Sequence, residues 1–351
     1  MHGFDNAEDT SISSGRHQPV AGALLAMQAW AGILDASFGY VSSEEQPMNL
    51  QNFRLIAAPF TPMRPDGSLN LPVVREQAHY LATHGVKGVF IGGTTGEGQS
   101  LTIEERMALA DAWAQCHRSE NLKLIVHVGH NSQADAIRLA SHAAARNADA
   151  VAMHGPMWFR GVSLADLIAF CAPVAAAAAS LPFYLYDMPS ITGITVSSAE
   201  FLAQAKEVIP NLVGIKYTNP DCVTLQECVQ AKGRAYDILW GSDEALLAGI
   251  ALGAAGAVGS TYNFAAPLYL RLIKAVEAGD WETARAEQAK SVAMVRVFQQ
   301  FTALAAIKYT MSLVGVDCGP VRLPVRGLSA ADEKKLRADL ERLNFAGELA
   351  S

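Results

Sequence analysis

From Arg54 onward the chain alternates between two kinds of stretch. Short apolar runs rich in Val, Ile and Ala pass through junctions of Gly, Thr, Ser, Asp and Pro into longer stretches whose apolar positions recur at helical spacing. Eight of the short runs predict strands, at 55–59, 88–92, 124–128, 150–153, 183–186, 212–216, 237–241 and 256–260. Between them, 73–83, 103–116, 134–146, 164–179 and 246–252 read as helices. Strands buried on both faces read as near-continuous apolar runs, so eight of them alternating with helices predict an α/β fold, a closed (β/α)8 TIM barrel. A doubly wound open sheet is the alternative. That fold usually carries a Gly-x-Gly-x-x-Gly turn after its first strand, where this chain has Phe60, Thr61 and Pro62.

The pattern continues past the eighth unit. Stretches 280–300, 303–314 and 329–343 predict three more helices, with Ser329 and Glu333 near a helix start and Pro320 and Pro324 in the linker before it. The expected organisation is an N-terminal extension over 1–49, weakly structured or a single helix, a catalytic barrel over 50–279, and a C-terminal helical appendage over 280–351. Within the extension, Arg16 and His17 precede an alanine-rich apolar run over 20–34, as in a secretion signal. The amino terminus carries Asp5, Glu8 and Asp9 instead of basic residues and no clear small-x-small cleavage site follows, so an attached extension, or a functional chain starting at Met48, is expected.

Composition narrows the classes. The 351 residues carry a formal net charge of −7 with no lysine or arginine block, which gives no footprint for nucleic acid or an anionic membrane surface. No apolar run reaches the roughly 20 residues that cross a bilayer. Five cysteines, Cys116, Cys171, Cys222, Cys228 and Cys318, are odd in number and form no Cys-x-x-Cys pair, which suits a reducing, cytoplasmic compartment.

Candidate chemistry gathers where predicted strands end, the face on which barrel enzymes build their sites. Leu212–Lys216 is an aliphatic run closing on a lysine. A buried ammonium is costly, and the neutral amine is the form that attacks a carbonyl carbon, so Lys216 is a candidate Schiff-base nucleophile; the plain alternative is a strand-end lysine reaching into water. After the second strand, Gly92-Gly93-Thr94-Thr95-Gly96-Glu97-Gly98 offers close backbone approach and two hydroxyls to a carboxylate or phosphate, or serves as a turn ahead of the capping box Thr102-x-x-Glu105. Tyr186 ends the fifth strand as a phenol able to pass protons or simply to pack. Gly241-Ser242-Asp243-Glu244 and Gly259-Ser260-Thr261-Tyr262-Asn263 read as sugar-hydroxyl contacts or as helix caps. The pair His127 and His130 lacks a third ligand in view, so no metal is expected.

Taken together, Gly93-Thr94-Thr95-Gly96-Glu97, Tyr186-x-x-Pro189, Gly214-Ile215-Lys216 and the run from Gly253 to Asn263 resemble the pyruvate-dependent class I lyase family. That family holds N-acetylneuraminate lyase and dihydrodipicolinate synthase, and the resemblance, over about 50–345, leans to the N-acetylneuraminate lyase branch. It implies that Lys216 forms an imine with the 2-oxo carbon of the substrate, that Thr94 and Thr95 hold the carboxylate, and that Tyr186 moves the proton of the C4 hydroxyl, with Thr94 in relay. It further implies that Gly241, Asp243, Glu244 and Ser260 hydrogen-bond a polyhydroxyl tail, that no cofactor or metal takes part, and that the protein is a homotetramer.

Three departures from the family's pattern bear on the substrate. Ile191 stands where the synthases carry an arginine, against a synthase. Pro156-Met157-Trp158-Phe159 replaces a tyrosine-containing segment and removes a phenol. Asp187 stands where asparagine or histidine is usual, on the strand face opposite Tyr186. The expected function is cleavage of an N-acetylneuraminate-like 2-oxo-3-deoxy sugar acid to pyruvate and an aldose. The alternatives are an aldolase or dehydratase for another such acid, dihydrodipicolinate synthase, and a sugar-acid-binding regulatory protein on the same barrel.

Overall fold

Eight short parallel strands pair in chain order around a closed ring: β1 Arg54–Ala57, β2 Gly88–Ile91, β3 Lys123–His127, β4 Ala150–Met153, β5 Phe183–Asp187, β6 Leu212–Tyr217, β7 Asp237–Trp240 and β8 Gly256–Gly259. The last strand returns to the first in register, Arg54 against Gly256 through Ala57 against Gly259. This computed structural model describes residues 50–159 and 161–346, so the extension expected over 1–49 lies outside the described residues. The expected barrel is therefore the observed one. Strand ends differ from expectation by a residue or two. In β1 the Ala58 amide still reaches Gly259 O at 2.9 Å, and Pro59, which has no N–H, can carry the ladder no further.

Helices cover the ring: α1 Val73–Thr83, α2 Ile103–Ala114, α3 Gln133–Ala145, α4 Leu164–Ala176, α5 Ser198–Ala205, α6 Cys222–Arg234, α7 Leu246–Ala251 and α8 Tyr262–Glu277. Beyond them lie α9 Trp281–Phe298, α10 Ala303–Leu313 and α11 Ala330–Arg342. The predicted box at α2 is formed: Thr102 accepts from Glu105 N, and the Glu105 carboxylate accepts from Thr102 N. At α11 the partner of Ser329 is Asp332 and not Glu333, because the third helical position is the one whose side chain reaches back to the cap. No helix of the described residues is long and apolar enough to cross a membrane.

Apolar burial falls into two layers. The outer layer packs strand against helix, and the inner one, with Ile56, Phe90, Ile125, Tyr184, Tyr186 and Leu239, fills the barrel itself. Strand β6 enters this arrangement with a bulge: Phe183 pairs with Leu212, but Tyr184 pairs with Gly214, leaving Val213 as the extra residue. Leu212 faces the helices while Val213 packs on the inner layer, and the phase of every later residue is shifted by one. Lys216 thereby falls opposite inward-facing Tyr186. Gly214 sits where a Cβ would run into the Asp237 carbonyl of β7, so the bulged strand can lie this close only with glycine there.

Candidate active site

All eight strands are parallel, so the junctions that follow them open on one end of the barrel. The candidate residues of β2, β5, β6, β7 and β8 and their junctions therefore share one mouth. Lys216 is buried at 5 % exposure, and its Nζ lies 3.9 Å from the centre of the Tyr186 ring and 4.1 Å from that of Phe90. Two aromatic faces flank the nitrogen, and among the described residues no carboxylate forms an ion pair with it. The alternative of a strand-end lysine reaching into water does not describe this side chain.

The Tyr186 ring is wedged edge-on against Phe90 and His127, with centroids 5.5 and 5.9 Å apart. Its hydroxyl donates to Met188 Sδ at 3.1 Å and stands 3.5 Å from Thr94 Oγ1, which itself lies 3.6 Å from the same sulfur. The Tyr186–Thr94 pair is thus brought together at the outer limit of a hydrogen bond, with a thioether between. Asp187, the next residue, points to the helix side, where Ser198 Oγ and Asn219 Nδ2 donate to its carboxylate at 2.8 and 3.1 Å. Burial, opposed by those two donors, raises its carboxyl above the usual range.

Across the mouth, Thr94 is exposed and Thr95 buried, and Thr95 Oγ1 lies 2.6 Å from Ser260 Oγ at the end of β8. Asp243 is buried and accepts through Oδ2 from Thr261 N at 2.7 Å and Thr261 Oγ1 at 2.6 Å. Thr261 continues through Tyr269 to Ser291 of α9 by contacts of 2.6 and 2.8 Å, so a chain of hydroxyls seats the carboxylate. Burial pushes the Asp243 carboxyl up to about 6, against the Thr261 bonds that pull it down. Its other oxygen, Oδ1, overhangs Gly259, where a Cβ would collide with it. Gly241 is half-buried, and Glu244 is exposed at the rim.

Two residues without an expected role, Thr218 and Met188, line this place, and His127 stands there with a partner other than the expected one. Thr218 has a buried Oγ1 with no partner among the described residues, facing Gly241. Its signal was its spacing, two positions beyond Lys216 on an alternating strand. Met188 carried no signal beyond its place before Pro189. The sequence pairs His127 with His130, yet its ring neighbour is His154, 4.8 Å away, while His130 Nδ1 accepts from Ser132 N. Behind them Arg106 donates to the carbonyls of His127 and Gly129 at 2.7 and 2.9 Å. Burial, aided by the Arg106 guanidinium, holds His127 well below its ordinary value and His154 at about 4, so both rings are neutral near pH 7. No group of three or more His, Cys, Asp or Glu among the described residues is arranged to hold a metal ion.

The arrangement offers a buried lysine amine among the inward-facing residues of the strands, the ring of a phenol against it, and hydroxyls on two further junctions. N-acetylneuraminate lyase of Mus musculus is 37 % identical over 295 residues, covering 83 % of this chain and 92 % of the relative. That of Xenopus tropicalis is 39 % identical over 295 residues, 82 % of this chain and 96 % of the relative. The solved structure of Proteus mirabilis N-acetylneuraminate lyase superposes with a TM-score of 0.81 at 41 % identity, covering 84 % of this chain and 99 % of that one. A sequence profile of the Dihydrodipicolinate synthetase family matches residues 51–343. With its barrel and these matches, the chain belongs to the Dihydrodipicolinate synthetase family.

Proposed function

We propose that the protein is a class I lyase that cleaves N-acetylneuraminate, or a 2-oxo-3-deoxy sugar acid closely like it, to pyruvate and an aldose. The observation that carries this is the Lys216 nitrogen held inside the barrel against the Tyr186 ring, in a chain 37 to 39 % identical to N-acetylneuraminate lyases over most of its length. In this reading the Lys216 amine adds to the 2-oxo carbon and water leaves, giving a protonated imine. Breakage of the C3–C4 bond sends its electron pair into the imine, producing an enamine, while the C4 hydroxyl gives its proton to the Tyr186 oxygen, which gives up its own proton for delivery to C3, and the C4 carbon becomes an aldehyde. The enamine is protonated at C3, and water releases pyruvate from Lys216.

Thr94 and Thr95 hold the substrate carboxylate, with Thr94 placed to exchange a proton with Tyr186. Gly241, Asp243, Glu244 and Ser260 bind the polyhydroxyl tail, and a site built on such bonds discriminates strongly, since a missing hydroxyl strands a buried polar group. No cofactor or metal enters these steps. The barrel reading extends over 50–279 with a helical segment over 280–351, and the protein is a cytoplasmic homotetramer, which sedimentation and fractionation test.

Borohydride added with pyruvate is expected to leave a reduced adduct on Lys216, located by peptide mass analysis; a modified protein with Lys216 untouched sinks the mechanism. Trp158 and Phe159, 78 and 73 % exposed in the segment where the family's pattern implies a tyrosine, motivate a second reading as an aldolase or dehydratase for another 2-oxo-3-deoxy sugar acid. Pyruvate release measured across such acids separates the two, and tight binding without release of pyruvate from any of them favours a regulatory protein. Ile191, at the position of the synthase arginine, speaks against the synthase.

A further inference from the structure

Glu97 closes the loop that carries Thr94 and Thr95, and its carboxylate is met from the far end of the chain. We propose that Lys308 of α10 is a positioning residue for the carboxylate clamp: through Glu97 it fixes the loop that presents Thr94 and Thr95, so the C-terminal segment sets how the site grips the substrate's carboxylate. This rests on the lyase reading above.

Thr94 to Glu97 form a single turn, with Glu97 N donating to Thr94 O at 3.0 Å, so the Glu97 side chain and the clamp hydroxyls move together. Glu97 adopts φ +53, a left-handed conformation that a glutamate keeps only where its surroundings hold it. What holds it is directional. Lys308 Nζ donates to Glu97 Oε1 at 2.8 Å and to Pro320 O at 2.6 Å, and Arg322 N donates to Glu97 Oε2 at 2.7 Å. Both ionic side chains are 1 % exposed. From the barrel side the same turn is met by Thr61 Oγ1, which donates to Gly96 O at 2.5 Å. The Arg322 guanidinium then grips Glu105 and Ser100 O, which follow the loop, and Gly67 O, which precedes β2, extending the C-terminal hold to both sides of it.

A buried ion pair is a weak device for stability alone, because desolvation of two charges consumes much of their attraction. It is an effective device for geometry, since each bond fixes both distance and direction at a site where small displacements matter. The clamp's own hydroxyls are uncharged. Their grip on a carboxylate therefore depends on where the turn places them.

The test uses the full chain as wild type, as Lys308→Arg, as Lys308→Met and as the double variant Glu97→Gln with Lys308→Met, which leaves no unpaired buried ion. Borohydride trapping on Lys216 is followed against concentration with pyruvate and with pyruvamide, whose 2-oxo carbon is intact but whose carboxylate is gone. In Lys308→Met and in the double variant, half-saturating pyruvate is expected to rise about tenfold or more while pyruvamide is unchanged, with much of the pyruvate effect restored in Lys308→Arg. Equal weakening of both carbonyl compounds, or of neither, overturns the inference and leaves the lyase reading intact. Absence of any Lys216 adduct in the wild type overturns both.

Discussion

The Lys216 nitrogen meets the face of the Tyr186 ring 3.9 Å from its centre, while the Tyr186 hydroxyl is turned away toward Met188 Sδ. In the proposed mechanism ring and hydroxyl therefore do different work, one walling the amine and the other exchanging the substrate's proton. Tyr186→Phe keeps the wall and deletes the acid–base group. We expect pyruvate trapping on Lys216 to persist in that variant while turnover of the sugar acid falls by roughly 10²- to 10⁴-fold. Parallel loss of trapping and turnover would show that the hydroxyl is needed to form the imine itself.

Asp243 supplies a pH signature. Its carboxyl titrates near 6 in the folded protein and near 4 in an unfolded chain, so between those values the native state holds a proton that the unfolded state has released. The stability that this group contributes is present below about pH 4 and is lost as pH rises through 6. Asp243→Asn removes the titration, so the variant should gain on the wild type between pH 4 and 7 by on the order of 2 kcal/mol. Denaturant melts at both pH values measure this. A difference that does not move with pH refutes the assignment.

Gly259 lies directly beneath Asp243 Oδ1, and the Tyr262 ring closes the same space. A methyl group there forces the carboxylate off its seat on Thr261, because neither the backbone nor the buried ring can yield. Gly259→Ala is expected to raise the KM for the sugar acid by at least about tenfold, with the pyruvate adduct on Lys216 still forming. Unaltered KM would place the substrate tail elsewhere.

At the opposite end of the barrel, Tyr184 donates to Asp237 Oδ2 at 2.6 Å, and Arg54 pairs with the other oxygen. Those residues sit on the early positions of their strands, away from the mouth, where polar networks serve stability. Tyr184→Phe should cost about 1–3 kcal/mol of unfolding free energy and leave kcat within about twofold when assayed well below the melting transition. Calorimetry and a pyruvate-release assay on the same preparation check both halves.

The barrel was legible because parallel strands buried on both faces must be apolar throughout, and because each junction carries residues that break one period before the next begins. Lys216 stood out for the same reason, as the one charge closing an otherwise aliphatic run. Other features had no such local trace. Glu97 and Lys308 are 211 positions apart, and nothing in either neighbourhood names the other. Met188 is an ordinary apolar residue until the fold sets its sulfur beside two hydroxyls. Thr218 has its spacing from Lys216 as a trace, but nothing local tells that its buried hydroxyl faces Gly241 and has no partner among the described residues. Periodicity reports which face a residue takes; it is silent on which distant side chain will meet it there.

The unpaired Val213 in β6 gives that strand an odd step, and the identity of the face reached by Lys216 depends on it. Loops at the barrel mouth can lengthen or shorten with little effect on where this nitrogen points, whereas removal of a single residue between Leu212 and Lys216 would turn it out among the covering helices. Within this chain, the count of residues along one six-residue strand is thus as strict a requirement as the identity of the lysine at its end.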